Sequence, residues 1–126
     1  MITEFNQLNL NSGLLQAVSE QNYNNPTPIQ AEVIPLILAG EDVIGQAQTG
    51  TGKTAAFALP MIQLLNPDQR TPKGLILTPT RELALQVAGS LQGYSKHQEA
   101  RVLAVYGGQA YGPQINQLRR GVDIIV

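Results

Sequence analysis

The stretch that most constrains this chain is AQTGTGKT at residues 47–54, a glycine-rich segment that ends in Gly-Lys-Thr. A β-branched apolar run enters it at residues 42–44, and a helix-forming run leaves it at residues 55–59. A strand, a tight turn and a helix start are therefore predicted to meet at Lys53, as a phosphate-binding loop requires. Glycines let successive N–H groups point at an anion, and the helix start adds the positive end of its dipole.

The residues of this loop predict a nucleotide site and part of its chemistry. Lys53 can reach the β- and γ-phosphates, and the Thr54 hydroxyl can ligate Mg²⁺ that is bound to ATP. We therefore expect catalytic roles for Lys53 and Thr54, with Thr54 also a metal ligand. The expected nucleotide-binding residues of the loop are Gln48, Thr49, Gly50, Thr51, Gly52, Lys53 and Thr54. The strict pattern G-x-x-x-x-G-K-S/T fails at Ala47, which leaves a turn that binds nothing as the alternative.

The composition limits the classes of protein to consider. A chain of 126 residues has the size of one domain, and charged residues make up only 13% of it, about half the usual share. The net charge of −1 gives no global positive field, so any nucleic-acid contact must be local and built largely from backbone groups. The absence of cysteine and of any apolar run near 18 residues predicts a soluble, cytoplasmic protein without membrane contact.

Short apolar runs that predict strands alternate with segments that carry helix start and stop signals. The strands are predicted at 42–44, 74–77, 102–106 and 122–126. The helices are predicted to start near Ser12, at Pro28, at Lys53, after Thr80 and at Pro113. Residues 1–10 predict an extended arm, and residues 66–72 a loop. Because the strands lack clean polar alternation, this order predicts an α/β fold with a mostly parallel sheet covered on both faces, as in a three-layer P-loop NTPase.

The loops that follow the predicted strands carry the polar and glycine residues of interest. Ligands of a parallel sheet bind at the carboxyl ends of its strands. Residues 78–81 (TPTR) follow the second strand, and Gly107 and Gly108 follow the third. The glycine-rich turn follows the first strand, so one edge of the sheet is predicted to carry all three loops.

Four stretches, taken in order, resemble one family. Residues 22–30 (NYNNPTPIQ) resemble the Q motif of DEAD-box RNA helicases, and residues 47–54 resemble their motif I, in which Ala is common at the first position. Residues 79–84 (PTRELA) resemble motif Ia, and Gly107-Gly108 is similar to the GG element that follows it. One departure is Asn22, where the family usually has glycine.

This resemblance implies an ATP-dependent RNA helicase or RNA-remodelling ATPase with a RecA-like fold that is incomplete at the C-terminus. Residues 1–40 would form the N-terminal arm and the Q-motif helices, and residues 41–126 part of the first RecA-like domain. The family's motif Ib, its Asp-Glu-Ala-Asp motif and its second RecA-like domain would follow Val126. We therefore expect ATP and Mg²⁺ as cofactors, the second RecA-like domain of the parent chain as a partner, and no activity from these 126 residues alone.

The resemblance also implies roles around the base of ATP. Gln30 would recognise adenine; from the residues alone, its position three residues after Thr27 favours a helix capping box instead. Tyr23 would lie against the adenine ring, with ordinary packing as its alternative. Phe5 and Pro28 would support this segment, and Phe5 has the alternative role of tethering the arm to the core.

A second group of residues would contact RNA through its backbone, without sequence preference. Arg81 is predicted on the first turn of a helix, where the helix dipole disfavours its charge unless an anion binds there. The resemblance implies that an RNA phosphate is this anion. The expected RNA-binding residues are Pro79, Thr80, Arg81, Gly107 and Gly108.

Two other classes of protein share the phosphate loop. Another P-loop enzyme, such as a small-molecule kinase, would need neither the segment at 22–30 nor the segment at 79–84. A non-catalytic adenine-nucleotide-binding module would keep the loop and Gln30 but would not hydrolyse ATP.

Overall fold

A computed structural model of the protein describes residues 1–66 and 68–126; Pro67, in the predicted loop, lies outside the described residues. A 3₁₀ helix spans Phe5–Leu8. The helices span Ser12–Glu20 (α1), Pro28–Leu38 (α2), Lys53–Gln63 (α3), Arg81–Tyr94 (α4) and Tyr111–Arg120 (α5). The strands span Gly74–Leu75 (β1), Val102–Leu103 (β2) and Ile124–Ile125 (β3).

The helix starts follow local capping rules. The side chains of Asn11, Thr27 and Thr80 each accept a hydrogen bond from the backbone N–H three residues later. These contacts confirm the predicted starts of α1, α2 and α4. The predicted start of α5 was wrong by two residues, because the helix begins at Tyr111 and Pro113 is its third residue. Proline is tolerated there because the first-turn N–H groups have no partner within the helix.

The three strands form a parallel sheet in the order β1-β3-β2, which confirms the predicted parallel arrangement. Ile124 lies opposite Gly74 on one side and Val102 on the other. Backbone hydrogen bonds continue past the short strands, as from Ile76 N to the Ile125 carbonyl at 2.8 Å. The strands at 74–77, 102–106 and 122–126 were therefore predicted correctly in position but are shorter than expected.

The strand predicted at residues 42–44 is wrong for the part of the chain that the structure describes. None of the described strands pairs with this segment, and Ile44 is fully exposed. β-branched residues favour strands through packing against neighbouring strands, so without such a neighbour their preference is not realised. The phosphate loop accordingly follows an irregular segment rather than a strand of this sheet.

The extended arm predicted at residues 1–10 is also wrong. The 3₁₀ helix at Phe5–Leu8 turns this segment back on the molecule, and Phe5, Leu8 and Leu10 are buried. Leu8 is 1% exposed. The arm folds because its few apolar residues share one side of the turn and gain more by burial than by exposure.

One hydrophobic core joins the N-terminal segment, α1 to α4 and one face of the sheet. Its largest fully buried side chains include Leu8, Leu14, Ile34, Leu59, Leu91 and Ile124. The core contains residues from both sides of residue 40. The predicted boundary between the Q-motif helices (1–40) and the RecA-like part (41–126) stays a prediction. On the opposite face of β1, Leu75 and Leu77 are 66% and 85% exposed, so the described residues cover mainly one face of the sheet.

An ion pair fixes the amino edge of the sheet. Asp123, which precedes β3 and is 3% exposed, accepts hydrogen bonds from Arg101 N, Nε and Nη2 at 2.7 to 3.1 Å. Arg101 Nη2 also donates to the Gln69 carbonyl, so three chain segments meet at one guanidinium. Burial alone would raise the pKa of Asp123, but the hydrogen bonds and charge of Arg101 outweigh it and lower that pKa below its usual value of 3.8.

We predict that Asp123→Asn loosens this edge of the sheet. A group with a lowered folded pKa stabilises the fold above its unfolded pKa, so this contribution is present above pH 3.8 and is lost as the pH falls through the lowered value. Asp123→Asn should therefore reduce the local opening free energy at neutral pH by about 1–3 kcal/mol. Hydrogen–deuterium exchange of the amides at 101–103 and 122–126 measures it. The exposed control Asp42→Asn should leave these amides unchanged, and equal effects of the two variants would contradict the prediction.

Candidate functional site

Gln30 connects the start of α2 to the phosphate loop. Its Oε1 accepts from Thr27 N at 3.0 Å, and the Thr27 hydroxyl accepts from Gln30 N at 3.5 Å, which completes the predicted capping box. Its Nε2 donates to the Gly52 carbonyl at 3.1 Å. Gln30 itself is 3% exposed, and its partners Thr27 and Gly52 are half-buried, so these bonds are partly shielded from water. The Gln30 side chain therefore caps the start of α2 and also binds Gly52, the residue that precedes α3.

Gly52 is required by this contact as well as by its backbone conformation. It caps α3 with φ +82°, in the left-handed region that glycine adopts at little cost. A Cβ at this position would overlap Gln30 Nε2. Gly50 has a similar φ of +80°, but a Cβ there would meet open space. The two glycines of the loop thus have different roles, which the sequence pattern alone did not distinguish.

The other polar groups of the loop are held by the loop itself. Lys53 Nζ donates to the Ala47 carbonyl at 2.5 Å, and the Thr51 hydroxyl donates to the Gln48 carbonyl at 2.6 Å. Lys53 is exposed and is the first residue of α3, and Thr54 is its half-buried second residue. The loop therefore places an ammonium, a hydroxyl and the free N–H groups of a helix start side by side. This arrangement suits a polyanion.

The residues expected around the base lie in the predicted order but differ in their contacts. Tyr23 is 38% exposed, and its ring centroid lies 6.4 Å from that of Tyr94 in α4. Burial, together with the neighbouring Tyr23, raises the pKa of Tyr94. The packing alternative for Tyr23 is thus observed, and its contact with adenine stays a prediction. Asn22 adopts φ +61°, which explains why the family's glycine suits this position and why Asn, tolerant of this region, replaces it.

The two supporting residues occupy structural positions. Pro28 is the first residue of α2, where its missing N–H leaves no hydrogen bond unmade. Phe5 is 5% exposed in the core, which is the tethering role considered for it. Asn25 Nδ2 donates to the Thr3 carbonyl at 2.6 Å and joins the N-terminal segment to the turn before α2.

A second polar region lies at the carboxyl edge of the sheet. Thr80 caps α4, and the Thr78 hydroxyl donates to the Thr80 carbonyl at 3.1 Å within the turn that also contains Pro79. Arg81 follows, with its Cζ 5.8 Å from the ring centroid of Tyr106. The loop after β1 and the loop after β2 are therefore in contact. This agrees with the prediction that both loops lie at one edge of the sheet.

Gly107 and Gly108 continue from Tyr106 and are exposed. Gly108 has φ +82°, and a Cβ on it would lie 3.9 Å from Arg81 Nη1. Tyr106 itself was missed by the sequence analysis. Its position at the end of a predicted strand, directly before two glycines, could have marked Tyr106 as a candidate. Nothing in the sequence indicated that it would contact Arg81.

The fold and the glycine-rich loop before α3 define an α/β protein of the P-loop class. The chain belongs to the DEAD/DEAH box helicase family, whose family model matches residues 27–126. None of the helices in the described residues is long and apolar enough to cross a membrane.

Curated relatives of this family match almost the entire chain. The chain is 50% identical over 125 residues to the ATP-dependent RNA helicase DeaD of Escherichia coli K12. This alignment covers 98% of this chain and 20% of that protein. It is 46% identical over 126 residues to the DEAD-box ATP-dependent RNA helicase CshA of Bacillus subtilis, of which it covers 26%. The chain therefore spans about a fifth to a quarter of the length of these relatives.

Solved structures confirm the RecA-like α/β fold class. A DEAD box protein from Methanococcus jannaschii superposes with a TM-score of 0.93 at 42% identity, over 98% of this chain and 34% of that one. A hypothetical ATP-dependent RNA helicase from Sulfolobus tokodaii gives a TM-score of 0.82 at 41% identity, over 93% of this chain and 33% of that one.

We predict that Gly52→Ala disturbs the site more than Gly50→Ala does. Both variants force alanine into the left-handed region, at about 1–2 kcal/mol each. Only Gly52→Ala also displaces the amide of Gln30, which adds about 1–3 kcal/mol for its broken hydrogen bond. Amide exchange of Gln30 and Ala31, in the first turn of α2, should therefore speed up in Gly52→Ala alone. Equal acceleration in both variants would show that Gln30 does not depend on Gly52.

Proposed function

We propose that this chain is the nucleotide-binding front part of the first RecA-like domain of an ATP-dependent RNA helicase or RNA-remodelling ATPase. The observation that carries the proposal is the hydrogen bond from Gln30 Nε2 to the Gly52 carbonyl. It attaches the glutamine that the family resemblance assigns to adenine directly to the loop that would hold the phosphates. The names of the relatives, ATP-dependent RNA helicases, support the same reading.

The phosphates of ATP would bind at the start of α3. Gly52 caps this helix without a side-chain hydrogen bond, so the first N–H groups of α3 are available to an anion. Lys53 would exchange its bond to the Ala47 carbonyl for one to the β- and γ-phosphate oxygens, a stronger partner because it is charged. The Thr54 hydroxyl would ligate Mg²⁺, which when bound neutralises charge between these phosphates.

Capping and adenine recognition by Gln30 are compatible. A glutamine amide has two N–H donors and two carbonyl lone pairs. Thr27 N and the Gly52 carbonyl use one of each. One donor and one lone pair remain for the N7 and N6 atoms of adenine, the pairing that glutamine makes with this base in DNA.

RNA would be held at the second polar region by its phosphates and sugars. Arg81 is exposed at the start of α4, and Gly107 and Gly108 allow the backbone to approach a strand closely. With Pro79 and Thr80 they form a surface on which Arg81 and the exposed glycine backbone would contact phosphates and sugars. Such contacts fix position but carry no sequence information, so binding would be independent of base sequence.

The test of this function is RNA-stimulated ATP hydrolysis by the full-length protein. Lys53→Ala should abolish turnover because it removes the charge that stabilises the transferring phosphoryl group. Lys73→Ala removes an exposed lysine before β1 and should leave turnover unchanged. Far-UV circular dichroism without nucleotide should be the same for all three proteins. ATP binding without any turnover in the wild type would instead identify a non-catalytic nucleotide-binding module.

Base recognition by Gln30 is tested with Gln30→Glu. This variant keeps an oxygen for the Thr27 N–H, so the cap survives, but it cannot donate to adenine N7 or to the Gly52 carbonyl. The lost loop contact should affect ATP and GTP alike. We predict that ATP affinity falls by about 1–3 kcal/mol more than GTP affinity, since only adenine matches the amide. Competition titrations measure both, and equal losses would contradict adenine recognition.

A further inference from the structure

Arg81 has an aromatic partner that the proposed RNA contact does not explain. Its guanidinium carbon lies 5.8 Å from the centroid of the Tyr106 ring, within the range of a cation–π contact. Among the described residues, no ion pair includes Arg81. A cation on the first turn of α4 is disfavoured by the helix dipole, and the negative face of the ring offsets part of this penalty.

Tyr106 is more restricted in position than the side chain of Arg81, because it follows directly on a residue that is hydrogen-bonded to the sheet. The residue before Tyr106 donates its N–H to the Val126 carbonyl at 2.9 Å, which continues the pairing of β2 with β3. The ring of Tyr106 is half-buried, whereas Arg81 is exposed. A free arginine loses much rotamer freedom when it is fixed by a ligand. A ring that already restricts the guanidinium reduces this loss.

We propose that Tyr106 is a positioning residue that orients the Arg81 guanidinium for contact with a nucleic-acid phosphate. The Arg81 guanidinium carbon lies over the ring, and among the described residues no hydrogen bond from the Arg81 side chain is found. Its N–H groups can therefore form the paired hydrogen bonds that arginine makes with phosphate oxygens. The proposal rests on the RNA-binding role proposed for Arg81. It assigns to Tyr106 no contact with RNA of its own.

The geometry of the next two residues fits this arrangement. Nothing lies within 4 Å of a Cβ added to Gly107, and at Gly108 such an atom would lie only near Arg81 Nη1. The space next to the Cα atoms of Gly107 and Gly108 is therefore open, and Arg81 Nη1 borders it at Gly108. A phosphate can approach Arg81 from this side without displacing the Tyr106 ring.

The test is a double-mutant cycle in the full-length protein, with labelled single-stranded RNA and a non-hydrolysable ATP analogue. Tyr106→Leu should weaken RNA binding about two- to fivefold, the effect of one exposed cation–π contact. Tyr106→Phe keeps the ring and should bind like the wild type. In an Arg81→Ala background, Tyr106→Leu should have no further effect, because the group that it positions is gone. Arg81→Ala itself should reduce the salt slope by about one contact.

Two controls separate positioning from general damage. Tyr111→Leu alters an exposed tyrosine of α5 and should leave RNA affinity unchanged. Affinity for the ATP analogue should be equal in all variants, since none of them alters the phosphate loop.

The outcomes distinguish the two proposals. Weaker binding in Arg81→Ala but not in Tyr106→Leu would overturn the role of Tyr106 and leave the proposed function intact. A loss in Tyr106→Leu that persists undiminished without Arg81, or an equal loss in Tyr106→Phe, would also overturn it. Unchanged binding and salt slope in Arg81→Ala would overturn the RNA contact assigned to Arg81, and the positioning role with it.

Discussion

The buried amide of Gln30 is the constraint on which the nucleotide site depends. It satisfies Thr27 N at the start of α2 and the Gly52 carbonyl at the start of α3, and a buried amide that lost either partner would be unfavourable by about 1–3 kcal/mol. The two helix starts are therefore fixed relative to each other before any ligand binds. Because Gln30 Nε2 donates to the Gly52 carbonyl, a displacement of Gly52 would displace the Gln30 side chain. A ligand that binds the Gln30 amide would in turn shift the position of Gly52. Base recognition and phosphate binding would thus be coupled through one side chain.

The two ends of the sheet carry different kinds of interaction. At the amino edge, the Arg101–Asp123 pair is largely buried and its hydrogen bonds join three chain segments. At the carboxyl edge, the Arg81 guanidinium carbon lies 5.8 Å from the Tyr106 ring centroid, and no ion pair within residues 1–66 and 68–126 includes Arg81. A paired arginine stabilises the fold, while an arginine without a carboxylate partner can bind an external anion. The first arginine precedes a strand and is paired within the fold, whereas the second lies at a helix start and is the one proposed to contact RNA.

The sequence predicted those features that depend on residues close together in the chain. The caps at Thr27 and Thr80 follow from short-range patterns, and the parallel direction of the strands follows from the alternation of strand and helix segments; the strand order was not predicted. Tertiary partners could not be predicted in this way. The strand expected at 42–44 has no described neighbour, the arm is folded by burial of Phe5 and its neighbours, and Tyr106 and Asp123 meet arginines more than twenty residues away. A sequence pattern shows which side chains can form a contact, but the packing of the folded chain determines which contacts form.

The phosphate loop shows why its shape was predictable although its preceding strand was not. Besides the backbone bond from Ala56 N to the Gly52 carbonyl, three side-chain hydrogen bonds hold the loop. Two of them form within it, from Lys53 to the Ala47 carbonyl and from Thr51 to the Gln48 carbonyl. The third comes from Gln30 in α2. None of the three requires residues 42–44 to pair with a strand. Pairing of that segment would fix where the loop sits relative to the sheet, but the conformation that could bind phosphate is set by the loop and by α2.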